Sequence, residues 1–333
     1  MNSVGIIVNP SSGKDIRRIT SSAFTVSNSE KENIVERIIL SMVRLGVTKV
    51  YLMPDTSNLN LSIMNKVNHA INTKCQITLL DYFPSNRPED TIKAMSLMEN
   101  NGIDCMIILG GDGTVRLAAK ARVQSPILPI STGTNNVYPY FEEGTSIGCA
   151  AAFICSKSRS FIFRRDKLIQ VTINNEISDV ALVDAVITRN SSIGSKAIYN
   201  LDDIDEIIVC RTKPNSIGFS AMIGCIRKCN DSDKFGWRTK INENAISILA
   251  PTGAGQITNL KIEVPTKLLE NEIYLSKKEY NGTIALDGER TLSFRRGDII
   301  SFRVTRKNGL RKVNTSQILK EAIKEGFFIA ADE

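Results

Sequence analysis

A single histidine, His69, stands among 333 residues and narrows the chemistry at once. Serine and cysteine hydrolases that rely on an activating imidazole are nearly excluded. Cys225 and Cys229 are four apart, but His69 lies far from them in sequence, which argues against a zinc site. Apolar residues never run to eighteen in a row, so no membrane-spanning helix is expected. The seven cysteines are odd in number and mostly have apolar neighbours, the pattern of reduced, buried thiols and not of a disulfide framework. Met1-Asn2-Ser3-Val4-Gly5-Ile6-Ile7-Val8 has no basic region, long apolar stretch or cleavage site of the signal-peptide kind. A cytoplasmic protein is the expectation.

What remains is a globular balance: 42% apolar and 23% charged residues, enough for a sizeable core and one large or two moderate domains. Forty-two basic against 35 acidic side chains leave a net charge of +7, which favours anionic partners. The basic residues are spread along the chain with no long arm, so nucleic acid is not expected among them.

Period alternates in the first part of the chain. Short apolar runs at 4–8, 50–53, 77–80, 105–109 and 127–130 read as buried strands. Helical spacing of apolar residues at 29–45, 59–71, 88–98 and 115–122 separates them. Strand–helix alternation of this kind predicts right-handed crossovers and a mostly parallel sheet covered on both faces. After Tyr140, a short apolar helix (148–155) precedes β-branched runs at 169–173, 180–188, 207–210, 245–249, 260–264, 282–286 and 299–305. Asn174-Asn175 between two runs predicts a hairpin turn. A last helix is expected at 316–324. The expected organisation is an α/β nucleotide-binding domain at 1–143, a β-rich antiparallel substrate domain at 144–308, and a segment, 309–333, that returns to the first. The polar stretch 190–205 is the best candidate for a mobile loop.

Three loops follow strands of the predicted parallel sheet. Gly110-Gly111-Asp112-Gly113-Thr114 comes directly after an apolar strand, where glycines let backbone N–H groups approach phosphate oxygens at a helix start. A carboxylate inside such a turn repels phosphate unless it holds Mg²⁺ or accepts a proton, which points to phosphoryl transfer. The same residues would also serve as a plain tight turn with a capping aspartate. Ser131-Thr132-Gly133-Thr134-Asn135-Asn136 ends the next strand, and in a doubly wound sheet adjacent strand ends form the ligand crevice. Asn9-Pro10-Ser11-Ser12-Gly13-Lys14-Asp15-Ile16-Arg17-Arg18 follows the first strand. It lacks Walker spacing, but Lys14 and Arg17 could reach a polyphosphate. In the β-rich part, Asp287-Gly288 is an ordinary hairpin signal or a site carboxylate. Asp184, inside the run 180–188, belongs either to an exposed strand face or to a site.

Gly110-Gly111-Asp112-Gly113-Thr114 resembles the GGDGT signature of the ATP-NAD kinase superfamily. The Asn9–Arg18 block is similar to the N-P-x-x-G-K-D-I-R-R opening of its AcoX-type branch. Ala181-Leu182-Val183-Asp184-Ala185-Val186-Ile187 resembles the A-L-N-E-x-V-I stretch of NAD kinases, with Val183 in place of the nucleotide-contacting Asn. Pro214, Ser220-Ala221 and Gly224 loosely resemble the block T-P-T-G-S-T-A-Y-x-x-S-A-G-G, and Asp287-Gly288 the late D-G pair. The resemblance implies a Rossmann-like α/β domain plus a β-rich domain, and an ATP-dependent kinase acting on a ribose hydroxyl of NAD. For the AcoX-type branch it implies the 3′-hydroxyl, ahead of the 2′-hydroxyl that gives NADP. It further implies Mg²⁺ or another divalent cation, with Asp112 as metal ligand. Asp112 would be the first proton acceptor and Asp287 the second. Asn9, Lys14, Arg17, Gly110, Gly111, Gly113 and Thr114 would meet ATP, and Thr134, Asn135, Asn136 and Asp184 would meet NAD. Related kinases assemble as homodimers or homotetramers, which is the expected state. Gly133-Thr134-Asn135 also resembles the G-T-G-N loop of diacylglycerol and sphingoid kinases. A lipid kinase is therefore one alternative, although no amphipathic basic helix is evident, and a non-catalytic nucleotide sensor is another.

Overall fold

The computed structural model describes residues 2–12, 26–71, 74–133, 136–157, 161, 163–190 and 201–330. In the first part, β1 (Ser3–Val8), α1 (Asn28–Arg44), β2 (Lys49–Leu52), α2 (Leu59–Ala70), β3 (Gln76–Leu79), α3 (Pro88–Asn100), β4 (Cys105–Gly110), α4 (Asp112–Lys120) and β5 (Ile127–Ser131) succeed one another, and α5 (Gly144–Ser156) follows. The five strands form one parallel sheet in the order β3-β2-β1-β4-β5. β1, β4 and β5 are buried along their whole length, which is why they read as unbroken apolar runs. The three strand ends that carry the glycine, asparagine and serine loops therefore lie side by side.

α1 starts at Ser27, whose hydroxyl accepts the Glu30 N–H, and it buries Ile34, Val35, Ile38, Ile39 and Met42, the residues at helical spacing. α5 packs against α1 so closely that a Cβ on Gly148 would stand 1.9 Å from Ser41 Oγ, and one on Gly144 2.7 Å from the Ile34 carbonyl oxygen. The expected boundary at residue 143 leaves α5 outside the first unit. Its packing puts it inside, because Ile147, Ala150 and Phe153 share the core of α1 and the parallel sheet.

The rest of the chain comprises β6 (Leu168–Ile173), β7 (Glu176–Ala181), β8 (Asp184–Thr188), β9 (Ile204–Val209), α6 (Phe219–Gly224), β10 (Phe235–Gly253), β11 (Gln256–Ile262), β12 (Thr266–Leu269), β13 (Ile273–Lys277), β14 (Gly282–Leu286), β15 (Glu289–Phe294), β16 (Ile299–Thr305) and α7 (Thr315–Lys324). These strands make two antiparallel sheets. One has the order β11-β10-β9-β8-β14-β15, with β12 also paired to β10, and the other the order β13-β16-β6-β7. Ile169, Val171, Ala185, Ile187, Ile284 and Phe302 fill the space between them. Asn174 and Asn175 both have positive φ (52° and 68°), as a type I′ hairpin turn requires. The run 180–188 proves to be two strands. β7 ends in the four-stranded sheet, the chain crosses at Leu182 and Val183, and β8 begins in the other sheet at Asp184. The segment before α7 pairs with β5 through Lys312 and Ile127, and Ile318 and Ala322 of α7 enter the core of α1 and α5.

The fold is thus a Rossmann-like parallel α/β region joined to an antiparallel β-rich region. No helix among the described residues is long and apolar enough to cross a membrane.

Candidate functional site

The turn between β4 and α4 needs its glycines for space. None of Gly110, Gly111 and Gly113 has a positive φ. A Cβ on Gly110 would lie 2.5 Å from Thr114 Cβ, one on Gly111 2.7 Å from Asn136 Oδ1, and one on Gly113 3.3 Å from Glu289 Oε1. Two neighbouring strand ends press on this turn at once. Asn9, after β1, donates from Nδ2 to Thr114 Oγ1 (3.0 Å). Asn136, after β5, accepts the Asp112 N–H at Oδ1 (3.3 Å) and donates from Nδ2 to Ser131 Oγ (2.8 Å) and the Gly133 carbonyl (3.1 Å). The loop after β1 is held from below by Lys31 of α1, 1% exposed, whose ammonium donates to the carbonyls of Asn9 (3.0 Å) and Ser12 (2.9 Å) and to Asn28 Oδ1 (3.2 Å).

Asp112, the first residue of α4, is buried. Oδ1 accepts the Tyr138 N–H (2.7 Å) and, at 3.2 Å, the Val137 N–H, which also reaches Oδ2 at 2.9 Å. The carboxylate thus fastens the loop after β5 to the glycine turn, and Oδ2 keeps a lone pair beyond its one backbone donor. Burial pushes its pKa above the ordinary carboxylate value, against the pull of the two backbone N–H groups, Lys213 and Arg211.

Asp287 comes to the same place from the β-rich region. It sits at the β14–β15 turn, where Asp287 (φ 51°) and Gly288 (φ 81°) make the two-residue hairpin. The turn is not only a turn. The Asp287 carboxylate accepts the N–H groups of Leu182 (2.9 Å), Val183 (2.8 Å) and Asp184 (3.3 Å), and its own N–H donates to the Asp184 carbonyl (3.0 Å). Backbone donors left over where the chain changes sheets are thereby satisfied. Asp184 is buried beside it, at the start of β8, and lies on no exposed face. Burial raises the Asp287 carboxyl to about 7; Arg116 opposes the rise and the nearby charge of Asp112 adds to it. The two aspartates expected to share the chemistry therefore sense each other across the junction of the two regions.

Arg116, one turn into α4 and 4% exposed, is a cation beside Asp287. Its guanidinium lies 3.4 Å from Asp179, 3.7 Å from Asp287 and 3.6 Å from Glu289, and Lys120 reaches Asp179 at 3.0 Å. On the other side of Asp112 stand Arg211 and Lys213, beyond β9, and Lys312, before α7. Lys213 donates to the Val137 carbonyl (2.7 Å) and Lys312 to that of Tyr138. Arg211 pairs with Asp231 (2.7 Å) and Asp166 (3.8 Å), and Asp166 also accepts the Tyr138 hydroxyl (2.9 Å). Sequence reading missed Lys31, Arg116, Arg211, Lys213 and Lys312, because isolated basic residues carry no local signal.

Asn9, Gly110, Gly111, Asp112, Gly113, Thr114, Asn136, Asp184 and Asp287 are gathered at this one junction. Lys14, Arg17, Thr134 and Asn135 lie outside the described residues. No cluster of three or more His, Cys, Asp or Glu able to hold a metal ion exists among the described residues. Among the described residues there is no all-protein cage for Mg²⁺, and Asp112 Oδ2, with one backbone donor, is the carboxylate oxygen that could still meet a cation carried on phosphates.

Comparison with known proteins bears on the fold and the family. Residues 4–156 match the family model of the ATP-NAD kinase N-terminal domain, and residues 167–307 match that of the acetoin catabolism protein X C-terminal domain. The chain is 28% identical over 331 residues to acetoin catabolism protein X of Cupriavidus necator, covering 96% of this chain and 92% of that protein. It is also 42% identical over 55 residues to an uncharacterized protein of Archaeoglobus fulgidus, a match covering 16% of this chain and 18% of that one.

Proposed function

We propose that the chain belongs to the ATP-NAD kinase superfamily, on its AcoX-type branch, and that it transfers the γ-phosphoryl group of ATP to a ribose hydroxyl of NAD. The 3′-hydroxyl is the favoured acceptor, by the resemblance of the Asn9 block to that branch, and the 2′-hydroxyl comes next. The observation that carries this reading is the meeting of Asp112 and Asp287 at the ends of β1, β4 and β5, beneath a turn with room for backbone contact and for no side chain. Phosphoryl transfer asks for little covalent work from a protein. It needs alignment, dispersal of charge and a proton acceptor for the attacking hydroxyl.

Each residue has a part in that proposal. Asn9 and Thr114 fix the wall against which the triphosphate lies, and the N–H groups at the start of α4 face its oxygens. Oδ2 of Asp112 takes the hydroxyl proton. Asp287 tunes Asp112 through its charge and holds the crossing at Leu182 and Val183 in place. A divalent cation bound with ATP would offset the charge of its phosphates, with Asp112 the residue that would face it.

The test is turnover of purified protein with ATP, Mg²⁺ and NAD, read by phosphorus NMR. A new phosphomonoester resonance, coupled to a ribose proton that identifies the hydroxyl, is the expected result. Phosphorylation of diacylglycerol in place of NAD, or nucleotide binding with no turnover on either acceptor, would overturn the reading.

A further inference from the structure

Two ammonium groups from distant parts of the chain converge on one aromatic ring. Lys213 Nζ lies 3.5 Å from the centroid of the Tyr140 ring, and Lys312 Nζ lies 4.1 Å from the same centroid. Neither has a carboxylate within ion-pairing distance among the described residues. The Asp166 and Asp231 carboxylates beside them are engaged by Arg211, and Asp166 also by the Tyr138 hydroxyl. Each ammonium carries three N–H donors and spends one on a carbonyl, Lys213 on Val137 and Lys312 on Tyr138. Those two carbonyls belong to the residues whose N–H groups grip Asp112. The lysines are thus one peptide unit away from the proposed proton acceptor. Tyr140 itself is 42% exposed, so its ring reaches the surface, while Lys213 and Lys312 are partly buried.

Burial without full compensation is visible in their protonation. Both lysines are lowered to about 8, mainly by desolvation. For Lys312 the nearby Arg211 adds to the lowering, whereas Asp112 and Asp231 hold Lys213 up. A structural lysine locked into a satisfied ion pair would show the reverse. A doubly charged anion placed between these groups would supply the missing compensation.

Resting on the kinase reading above, we propose that Lys213 and Lys312, gathered over Tyr140 beside Asp112, form a subsite for a pyrophosphate group. Its source is either the bridge of the dinucleotide or the phosphates of ATP. The dinucleotide bridge fits the position better, because the subsite lies on the Val137–Tyr138 side of Asp112 and the glycine turn lies on the other.

Calorimetric titration tests this with four probes: inorganic pyrophosphate, NAD, ATP and adenosine. The variants are Lys213→Met, Lys312→Met and Lys213→Arg, each first checked for cooperative unfolding. Loss of a charge-assisted bond to phosphate is expected to weaken pyrophosphate and NAD about tenfold in each Met variant, to leave adenosine unchanged, and to be largely restored in Lys213→Arg. A merely structural role would move adenosine and the phosphate probes together, and the Arg variant would then rescue nothing selectively; that result overturns the subsite. Selective weakening of ATP in place of NAD would assign the subsite to the donor. Wild-type protein that binds pyrophosphate through these lysines but never phosphorylates NAD would leave the subsite standing and remove the kinase reading.

Discussion

Asp112→Asn is expected to lower turnover on NAD by about 10²–10⁴-fold, the usual span for loss of a positioned general base. The substitution also changes the fold locally, in a direction the hydrogen bonds define. One carboxylate oxygen becomes an amide NH₂: at the Oδ1 position it faces the Tyr138 N–H, and at the Oδ2 position it faces the Val137 N–H, which then keeps only its 3.2 Å contact with Oδ1. A cost of about 1–3 kcal/mol follows for the backbone donor that loses or weakens its acceptor. The variant should therefore unfold cooperatively a few degrees below the parent while its chemistry is all but lost. The two effects separate by measuring the melting temperature, ATP affinity and kcat on the same preparation. Near-normal kcat would remove Asp112 from the chemistry, whatever the melting temperature.

The largest effect on stability is expected from Arg116→Met. Among the described residues Arg116 is the one cation paired with Asp287, whose side chain is wholly buried, and it also faces Asp179 and Glu289. Removing one partner of a buried ionic group costs about 3–5 kcal/mol, because the remaining charge has neither water nor counter-ion. Asp179 keeps Lys120, and Glu289 is about half exposed, so the penalty falls on Asp287. Its sign with pH follows from the raised carboxyl. An acid whose folded pKa exceeds its unfolded value of about 3.9 binds its proton more tightly when folded, so stability falls as pH rises between the two values. In the parent this decline ends near 7. Without Arg116 the window extends above 7, as Asp112 continues to repel the ionised form. Thermal unfolding should thus show a deficit that is larger at pH 8 than at pH 5. An equal deficit at both values would mean that Arg116 acts through packing and not through the charge of Asp287.

Much of the fold could be read in the sequence because burial on both faces leaves a simple trace. β1, β4 and β5 are apolar throughout, α1 repeats its buried residues at helical spacing, and Gly110-Gly111-Asp112-Gly113-Thr114 marks the strand-to-helix turn. The β-rich region was legible only in part. β12 is only four residues long and β13 is exposed at every second residue, and their apolar content is too thin to stand out. The break at Leu182 and Val183 was hidden for the opposite reason. Both halves of the run are buried, and the change of sheet depends on Asp287, more than a hundred residues later. The same distance explains the site. Residues in loops after consecutive parallel strands announce themselves, because topology alone brings them together. Lys213, Lys312 and Arg116 owe their places to packing between regions, which no spacing in the chain encodes.

The central claim is that the turn after β4 receives the triphosphate and presents Asp112 to the acceptor hydroxyl. A crystal structure of the protein with a non-hydrolysable ATP analogue and NAD tests it most directly. Phosphate density is expected against the N–H groups at the start of α4, with a ribose hydroxyl of the dinucleotide within hydrogen-bonding distance of Asp112 Oδ2. Nucleotide bound elsewhere, with this turn empty or closed by the loop after β5, would contradict it.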